Sequence, residues 1–217
     1  MTETQAIHSF FLEGPAGRLE AILNQGAAEP GYAALVCHPH PMFGGTMHNK
    51  VVFHAMKALN HFGFPVLRFN FRGVGLSAGS HNEGKGERDD ILAALDWLTH
   101  KFQVPLVFGG FSFGAAVGMR VACPYQRVKA IISLGTPIRA DERGYTYRFL
   151  SECAKPKLFC SGDHDQFAQA QALADLVDEA ADPKKLVLIR DADHFFAGHL
   201  AEMRQAIEMW VESTLQI

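Results

Sequence analysis

The chain has 217 residues, a formal net charge of −3 at pH 7, and a hydrophobic fraction of 48%. This length and apolar content suffice for one domain with a full core, which we expect to span residues 1–217. Acidic and basic residues are interspersed and no run of 18 apolar residues occurs, so neither a nucleic-acid surface nor a membrane span is expected. The start, MTETQAIHSF, lacks the features of a secretory signal. We therefore expect a cytoplasmic protein, and its size is compatible with a two-fold homodimer.

Predicted strands alternate with predicted helices after an initial hairpin. Ala6–Leu12 and Arg18–Leu23 form that hairpin, which is expected at a sheet edge. Six apolar runs predict the remaining strands: Tyr32–Cys37, Pro65–Phe71, Val104–Phe108, Val128–Leu134, Lys157–Cys160 and Leu186–Ile189. Apolar residues at helical spacing predict five helices: Val51–Phe62, Ile91–Leu98 (with Asp89 and Asp90 at its start), Phe113–Ala122, Leu173–Ala180 and Leu200–Val211. The order predicts an α/β fold with a mostly parallel central sheet and helices on both faces.

Two longer irregular stretches, Arg72–Gly86 and Gly135–Glu152, interrupt this alternation. The second lies between two predicted strands and is too short for a large cap domain, so an open site is expected. The four cysteines, at positions 37, 123, 153 and 160, show no paired metal-ligand spacing and are expected to be reduced and structural.

The segment Gly110-Phe111-Ser112-Phe113-Gly114 matches the G-x-S-x-G pattern of a nucleophile elbow. Its context also fits, because a predicted strand precedes it and a predicted helix follows. In such an elbow a serine sits on a sharp, strained turn, and the flanking glycines leave room where a side chain would collide. We therefore expect Ser112 to be a nucleophile.

A serine hydroxyl needs a base to take its proton, and in this kind of site the chain order is Ser, then an acid, then His. His194 follows the last predicted strand and is the expected base, with His199 as the alternative. Asp163 and Asp165 follow the preceding strand, and either is a candidate acid. Three strand ends thus converge on one edge of the sheet, where open parallel sheets bind ligands. Asp191 and Asp193, beside His194, are expected to be turn residues.

The stretch Cys37–Gly45 follows a buried strand and is expected to complete an oxyanion hole. The transition state of acyl transfer needs two N–H donors, one of them from Phe113, the residue after the nucleophile. Because Pro39 and Pro41 have no N–H, His40 is the first choice for the second donor and Met42 the other. The eleven histidines show no metal-ligand spacing, so neither a metal nor a cofactor is expected.

The sequence resembles the small, lidless α/β hydrolases related to dienelactone hydrolase and to bacterial serine esterases. Five segments carry the resemblance in order along the chain: His38–Val52, Arg68–Ser80, Gly109–Ala115, Ser161–Phe167 and Asp191–Gly198. The resemblance implies the α/β-hydrolase fold, Asp165 as the acid and His194 as the base. Two positions depart from the pattern: dienelactone hydrolases use a cysteine where this chain has Ser112, and many relatives carry Asp at the position of Asn70.

These features together predict a serine hydrolase that cleaves a small ester or thioester through an acyl-enzyme. An acyltransferase with the same triad, and an idle binding protein that kept the fold, are the alternatives. Met42, Phe43 and Phe195 are expected to contact the substrate in an apolar pocket. Arg72 is expected to support neighbouring loops, the alternative being that it binds an acidic substrate.

Overall fold

The computed structural model describes residues 6–138 and 145–217. Within them lie eight strands: β1 (Ile7–Gly14), β2 (Gly17–Asn24), β3 (Ala33–Cys37), β4 (Val66–Phe69), β5 (Leu106–Phe111), β6 (Val128–Leu134), β7 (Lys157–Gly162) and β8 (Lys184–Ile189). The same residues form five α-helices: α1 (Lys50–His61), α2 (Lys85–Phe102), α3 (Phe113–Ala122), α4 (Ala170–Glu179) and α5 (Leu200–Leu215). Part of the predicted irregular stretch Gly135–Glu152, residues 139–144, falls outside the described residues.

All eight strands form one sheet in the order β1-β2-β4-β3-β5-β6-β7-β8. The predicted hairpin of β1 and β2 lies at one edge, and β2 pairs antiparallel with β4. Every other neighbouring pair is parallel. Parallel neighbours need crossover connections, and these carry the helices. The mostly parallel sheet expected from the sequence is therefore confirmed.

The helices cover both faces of the sheet, as the sequence predicts. One buried cluster combines apolar side chains of α2, α3 and α4 with one face of the strands. A second cluster combines α1 and α5 with the opposite face. The central strands β3 and β4 are buried along their whole length, which explains why they appear in the sequence as continuous apolar runs. None of the described helices is both long and apolar enough to cross a membrane.

Two of the element boundaries that differ from the sequence predictions have a clear structural cause. Strand β5 continues past Phe108 to Phe111, because Gly109 and Gly110 pair with β3 on one side and with β6 on the other. Helix α2 begins at Lys85, ahead of the predicted start at Asp89 and Asp90. Its early start follows from the buried Glu87, whose carboxylate accepts the backbone N–H groups of residues 82 and 84 and so caps the first turn. Leu92, one of the apolar residues within the predicted helix Ile91–Leu98, is 42% exposed.

The expectation of four reduced cysteines is wrong for one pair. Cys123, at the end of α3, and Cys153, just before β7, form a disulfide. The two residues are 30 positions apart, and they meet because β5, β6 and β7 are neighbours in the sheet. Cys37 and Cys160 are free and buried. Burial raises the pKa of both thiols, that of Cys160 to about 12, so neither is a ready nucleophile.

Candidate active site

Ser112 lies on a sharp turn between β5 and α3. Its backbone has φ 53° and ψ −118°, a region that non-glycine residues adopt only when their surroundings impose it. A Cβ at Gly110 would lie 2.6 Å from Gly114 O, and one at Gly114 would lie 2.5 Å from His38 O. The predicted requirement for glycine on both sides of the serine is thus confirmed, and Ser112 is held at the carboxyl end of the sheet.

The side chains of Ser112, His194 and Asp165 form a hydrogen-bonded chain. His194 Nε2 lies 3.0 Å from Ser112 Oγ, and His194 Nδ1 lies 2.8 Å from Asp165 Oδ2. The imidazole ring and the carboxylate are shielded from solvent, since His194 is 2% and Asp165 3% exposed. A carboxylate facing Nδ1 places the ring proton there. Nε2 is left as an acceptor for the serine hydroxyl, which is the protonation state that a general base requires.

Asp165, and not Asp163, is the carboxylate that contacts His194. Its Oδ2 also accepts the Ser161 hydroxyl at 2.9 Å, and its Oδ1 accepts the N–H groups of Phe167 at 2.8 Å and Ala168 at 3.2 Å. These bonds fix the carboxylate in one orientation. Sequence reasoning missed Ser161, since a serine within a strand gives no sign of which neighbour it bonds.

Main-chain contacts bind the loop that follows β7 to the loop that follows β8. The N–H of Asp163 donates to Ile189 O at 3.1 Å, and the N–H of His164 donates to Ala192 O at 3.0 Å. Gly162 permits this approach, because a Cβ there would lie 2.0 Å from Ala192 O. The acid and the base therefore lie on two loops that main-chain hydrogen bonds hold together.

The remaining polar residues near His194 have structural partners. Asp193 Oδ1 accepts the N–H groups of Phe195 and Ala197, as expected for a turn residue. Asp191 has φ 57°, which also fits a turn. His199, the alternative base, faces Glu202 with Nδ1 3.1 Å from Oε1. The structure gives it no contact with Ser112.

The loop after β3 contains the two residues weighed as the second oxyanion donor. The N–H of Met42 donates to His40 Nδ1 at 3.1 Å, so it is already engaged and less suited to a substrate oxygen. The carbonyl of His40 accepts the N–H groups of Phe43 and Gly45, both at 3.1 Å, which closes a tight turn. This contact argues against Met42, and the assignment of the His40 N–H as the second donor, alongside that of Phe113, stays a prediction.

His38 lies fully buried beneath this loop. Its Nε2 accepts the Phe71 N–H at 3.0 Å, so the ring proton is on Nδ1, which donates to Pro39 O at 2.6 Å. Burial lowers the pKa of His38 to about 3, which keeps the ring neutral. Both ring nitrogens are occupied, so His38 braces the loop. Within the described residues no group of three or more His, Cys, Asp or Glu side chains is arranged to hold a metal ion.

A cavity of about 300 Å³ opens onto Ser112 and His194. Phe43 and Phe195, both predicted to bind substrate, line it, whereas Met42 does not. Four lining residues were not predicted from the sequence: Asn49, Pro137, Tyr145 and Phe167. The rings of Phe111, Phe167 and Phe195 lie 4.7 to 5.2 Å from the His194 ring, centroid to centroid. Phe167 and Phe195 line the cavity and give it an apolar wall beside the base, whereas Phe111 packs against the ring from the buried side.

Arg72 and Asn70 both support loops below the site. The Arg72 guanidinium donates to both oxygens of buried Asp90, at 2.7 to 3.1 Å, which agrees with the expected supporting role. The Asn70 side chain accepts the Met47 N–H and donates to Glu20 Oε2, each at 2.8 Å. The amide is suited to this position because an aspartate would place a second carboxylate against Glu20.

Comparison with known proteins agrees with this geometry. Residues 34–215 match the family described as alpha/beta hydrolase domain. An uncharacterised protein of Rickettsia prowazekii is 36% identical and covers 91% of this chain and 85% of its own length.

Two solved structures are also similar. One is described as an alpha-beta serine hydrolase homologue from Coxiella burnetii; it is 36% identical with a TM-score of 0.85, over 96% of this chain and 97% of that one. The other is described as an a/b serine hydrolase without lid from Xanthomonas campestris; it is 34% identical with a TM-score of 0.84, over 98% of this chain and 96% of that one. The eight-stranded sheet, the strained serine turn and these matches establish that the chain belongs to the α/β hydrolase family, whose fold supports hydrolase activity.

Proposed function

We propose that the chain is a serine hydrolase that cleaves a small carboxylic ester or thioester through an acyl-enzyme on Ser112. The observation that supports this most is the pair of contacts made by His194, 3.0 Å to Ser112 Oγ and 2.8 Å to Asp165 Oδ2. The serine hydroxyl, the base and the acid stand in the order that nucleophilic catalysis by serine requires.

The chemical steps follow from these positions. His194 Nε2 takes the Ser112 proton while Oγ attacks the carbonyl carbon, and the N–H groups of Phe113 and His40 stabilise the oxyanion. As the tetrahedral intermediate collapses, the bond to the leaving group breaks and His194 gives that group its proton. Water then attacks the acyl carbonyl while His194 takes one of its protons. Collapse of this second tetrahedral intermediate breaks the bond to Ser112 Oγ, which recovers the proton from His194 as the carboxylic acid leaves. Asp165 keeps Nδ1 protonated and stabilises the charged ring throughout.

Labelling with a fluorophosphonate, followed by identification of the modified residue, tests the proposal directly. We expect modification of Ser112, and loss of ester turnover in Ser112→Ala. A residual rate above about one-thousandth of wild type would exceed what an oxyanion hole alone supplies and would contradict the proposal.

Two further measurements test the two alternative functions, a binding protein and an acyltransferase. A folded chain that neither reacts with the fluorophosphonate nor turns over any activated ester would indicate a binding protein. Product analysis with added alcohols would show whether the acyl group passes to an alcohol instead of to water.

A further inference from the structure

A second cavity, of about 590 Å³, lies beside the one that contains Ser112. Four residues line both cavities and form the boundary between them: His40, Phe43, Phe113 and Tyr145. Beyond that boundary the second cavity is lined by His81, Glu83 and Lys85, together with Met42. The first cavity is mainly aromatic near His194, whereas the second has charged and hydrogen-bonding side chains on its far wall.

The position of His194 decides which part of an ester each cavity can hold. The leaving group takes its proton from His194, so it must lie in the first cavity, against the rings of Phe167 and Phe195. The second cavity is lined by His40 and Phe113, the residues whose N–H groups we propose to hold the oxyanion, but not by His194. The part of the ester that stays bonded to Ser112, the acyl group, is therefore the part that can extend into it.

The far wall indicates what the end of that acyl group carries. Lys85 is exposed and takes part in no ion pair within the described residues. An imidazole nitrogen of His81 lies 2.9 Å from Oε1 of buried Glu87, and the ring packs against those of His40 and Phe113, with centroids 4.9 and 5.7 Å away. Lys85 thus offers N–H donors to an acceptor, while the exposed carboxylate of Glu83 opposes negative charge.

We propose that the second cavity is an acyl subsite for a chain that ends in a carboxylate, which makes monoesters of short dicarboxylic acids the preferred substrate class. The proposal rests on the proposed function and names the substrate of the same site. Among the described lining residues, Lys85 supplies the attractive charge, and the negative charge of Glu83 limits the preference for a carboxylate.

Matched p-nitrophenyl esters test the assignment: the hexanoate, the hydrogen adipate and the methyl adipate. All three release the same leaving group, and the last two differ in charge at the end of the acyl chain. The quantity to compare is kcat/KM for hydrogen adipate divided by kcat/KM for hexanoate. Exposed ion pairs have modest energies, so we expect Lys85→Met to lower this ratio about two- to fivefold, and Glu83→Gln to raise it by a similar factor. The methyl adipate should not respond to either change.

Lys101→Met is the matched control, because Lys101 is an exposed lysine on the same helix, about 24 Å from Lys85 at 1.5 Å per residue. It should leave the ratio unchanged. The proposal is overturned if Lys85→Met and Glu83→Gln behave like this control. It is also overturned if Lys85→Met instead weakens turnover of 4-carboxyphenyl hexanoate, since the charged group would then be on the leaving-group side.

Failure of the proposed function would look different. If wild type turns over none of these esters, the hydrolase proposal is refuted and the acyl subsite with it. If wild type turns them over but the ratio does not depend on residues 83 and 85, only the subsite is refuted.

Discussion

His38 is bonded to the same peptide unit that carries the proposed oxyanion donor. Its Nδ1–H donates to Pro39 O. The carbonyl carbon that carries this oxygen is bonded to the backbone nitrogen of His40. This peptide is trans, so its C=O and N–H point in opposite directions within one rigid plane. A hydrogen bond that holds the carbonyl on the buried side therefore aims the His40 N–H toward the other side.

Two substitutions of similar size can remove the two hydrogen bonds of the His38 ring one at a time. In His38→Asn the side-chain amide lies near the position of Nδ1 and can still donate to Pro39 O. In His38→Gln the amide lies near the position of Nε2 and can accept the Phe71 N–H, but the Pro39 carbonyl loses its donor. Loss of a whole oxyanion donor costs about 10²- to 10³-fold in kcat. We expect a misaligned donor in His38→Gln to lower kcat about tenfold or more with little change in KM, and His38→Asn to lower it much less.

Affinity for a boronic acid that mimics the tetrahedral intermediate should fall in parallel with kcat, because both report on the oxyanion contact. A variant that was merely less stable would lose active protein without losing that affinity. Equal kcat values for His38→Asn and His38→Gln, with unchanged boronic acid affinity, would refute the link through the peptide plane.

The same ring affects how stability depends on pH. The folded protein holds His38 neutral down to a pKa of about 3, whereas an unfolded histidine takes up a proton below about pH 6.5. The unfolded state binds more protons between these values, so the free energy of unfolding falls by about 1.4 kcal/mol per pH unit as the pH drops through this range. Between pH 7 and pH 4.5 the loss is on the order of 2 to 3 kcal/mol.

Urea unfolding of wild type and His38→Gln at pH 7 and pH 4.5 measures this contribution. The variant should lose roughly 2 to 3 kcal/mol less than wild type between the two pH values, although it starts from a lower stability because one buried carbonyl lacks its donor. His61→Gln, a substitution of an exposed histidine on α1, is the matched control. Identical pH dependence in wild type and His38→Gln would show that the ring is not held neutral.

Three further predictions follow from the contacts around the site. Ser161→Ala removes one of the hydrogen bonds on the Asp165 carboxylate, so kcat should fall several-fold and the free energy of unfolding by about 1 kcal/mol; an unchanged kcat in steady-state assays would contradict the supporting role. Gly114→Ala places a Cβ 2.5 Å from the backbone of the oxyanion loop, whereas in Gly109→Ala the nearest atom is 3.5 Å away, so kcat should fall more than tenfold only in the former. Titration of the unfolded, unreduced protein with a thiol reagent should find two free thiols, and four would show that the disulfide is absent.

The site could be anticipated from sequence because its residues follow the ends of strands. Ser112, Asp165 and His194 each lie within five residues of the end of a strand, and parallel strands bring such positions to one edge. Choosing Asp165 over Asp163 needed more than that pattern. Both follow β7, and the family resemblance, not the local pattern, favours Asp165; the physical reason is the course of the loop, which brings that carboxylate to the imidazole.

Other features depend on contacts between distant segments. Helix α2 starts early because Glu87 caps it, and the stretch Gly84–Gly86 has no apolar periodicity to signal a helix. The pairing of Cys123 with Cys153 depends on the order of strands in the sheet. Tyr145 and Phe167 enter the cavity from loops whose course no local pattern predicts, so the size and division of the substrate space could not be foreseen.

The close approach of Gly162 to Ala192 has a consequence for how this catalytic site can evolve. Because main-chain atoms join the two loops, the imidazole–carboxylate dyad is assembled before any ligand arrives and independently of the side chain at position 112. Replacement of the serine at position 112 by cysteine, which exchanges oxygen for sulfur as the attacking atom, would leave that dyad intact. Side chains around the loops are correspondingly free to diversify, whereas a methyl group at Gly162 would separate the proton acceptor from its anionic partner.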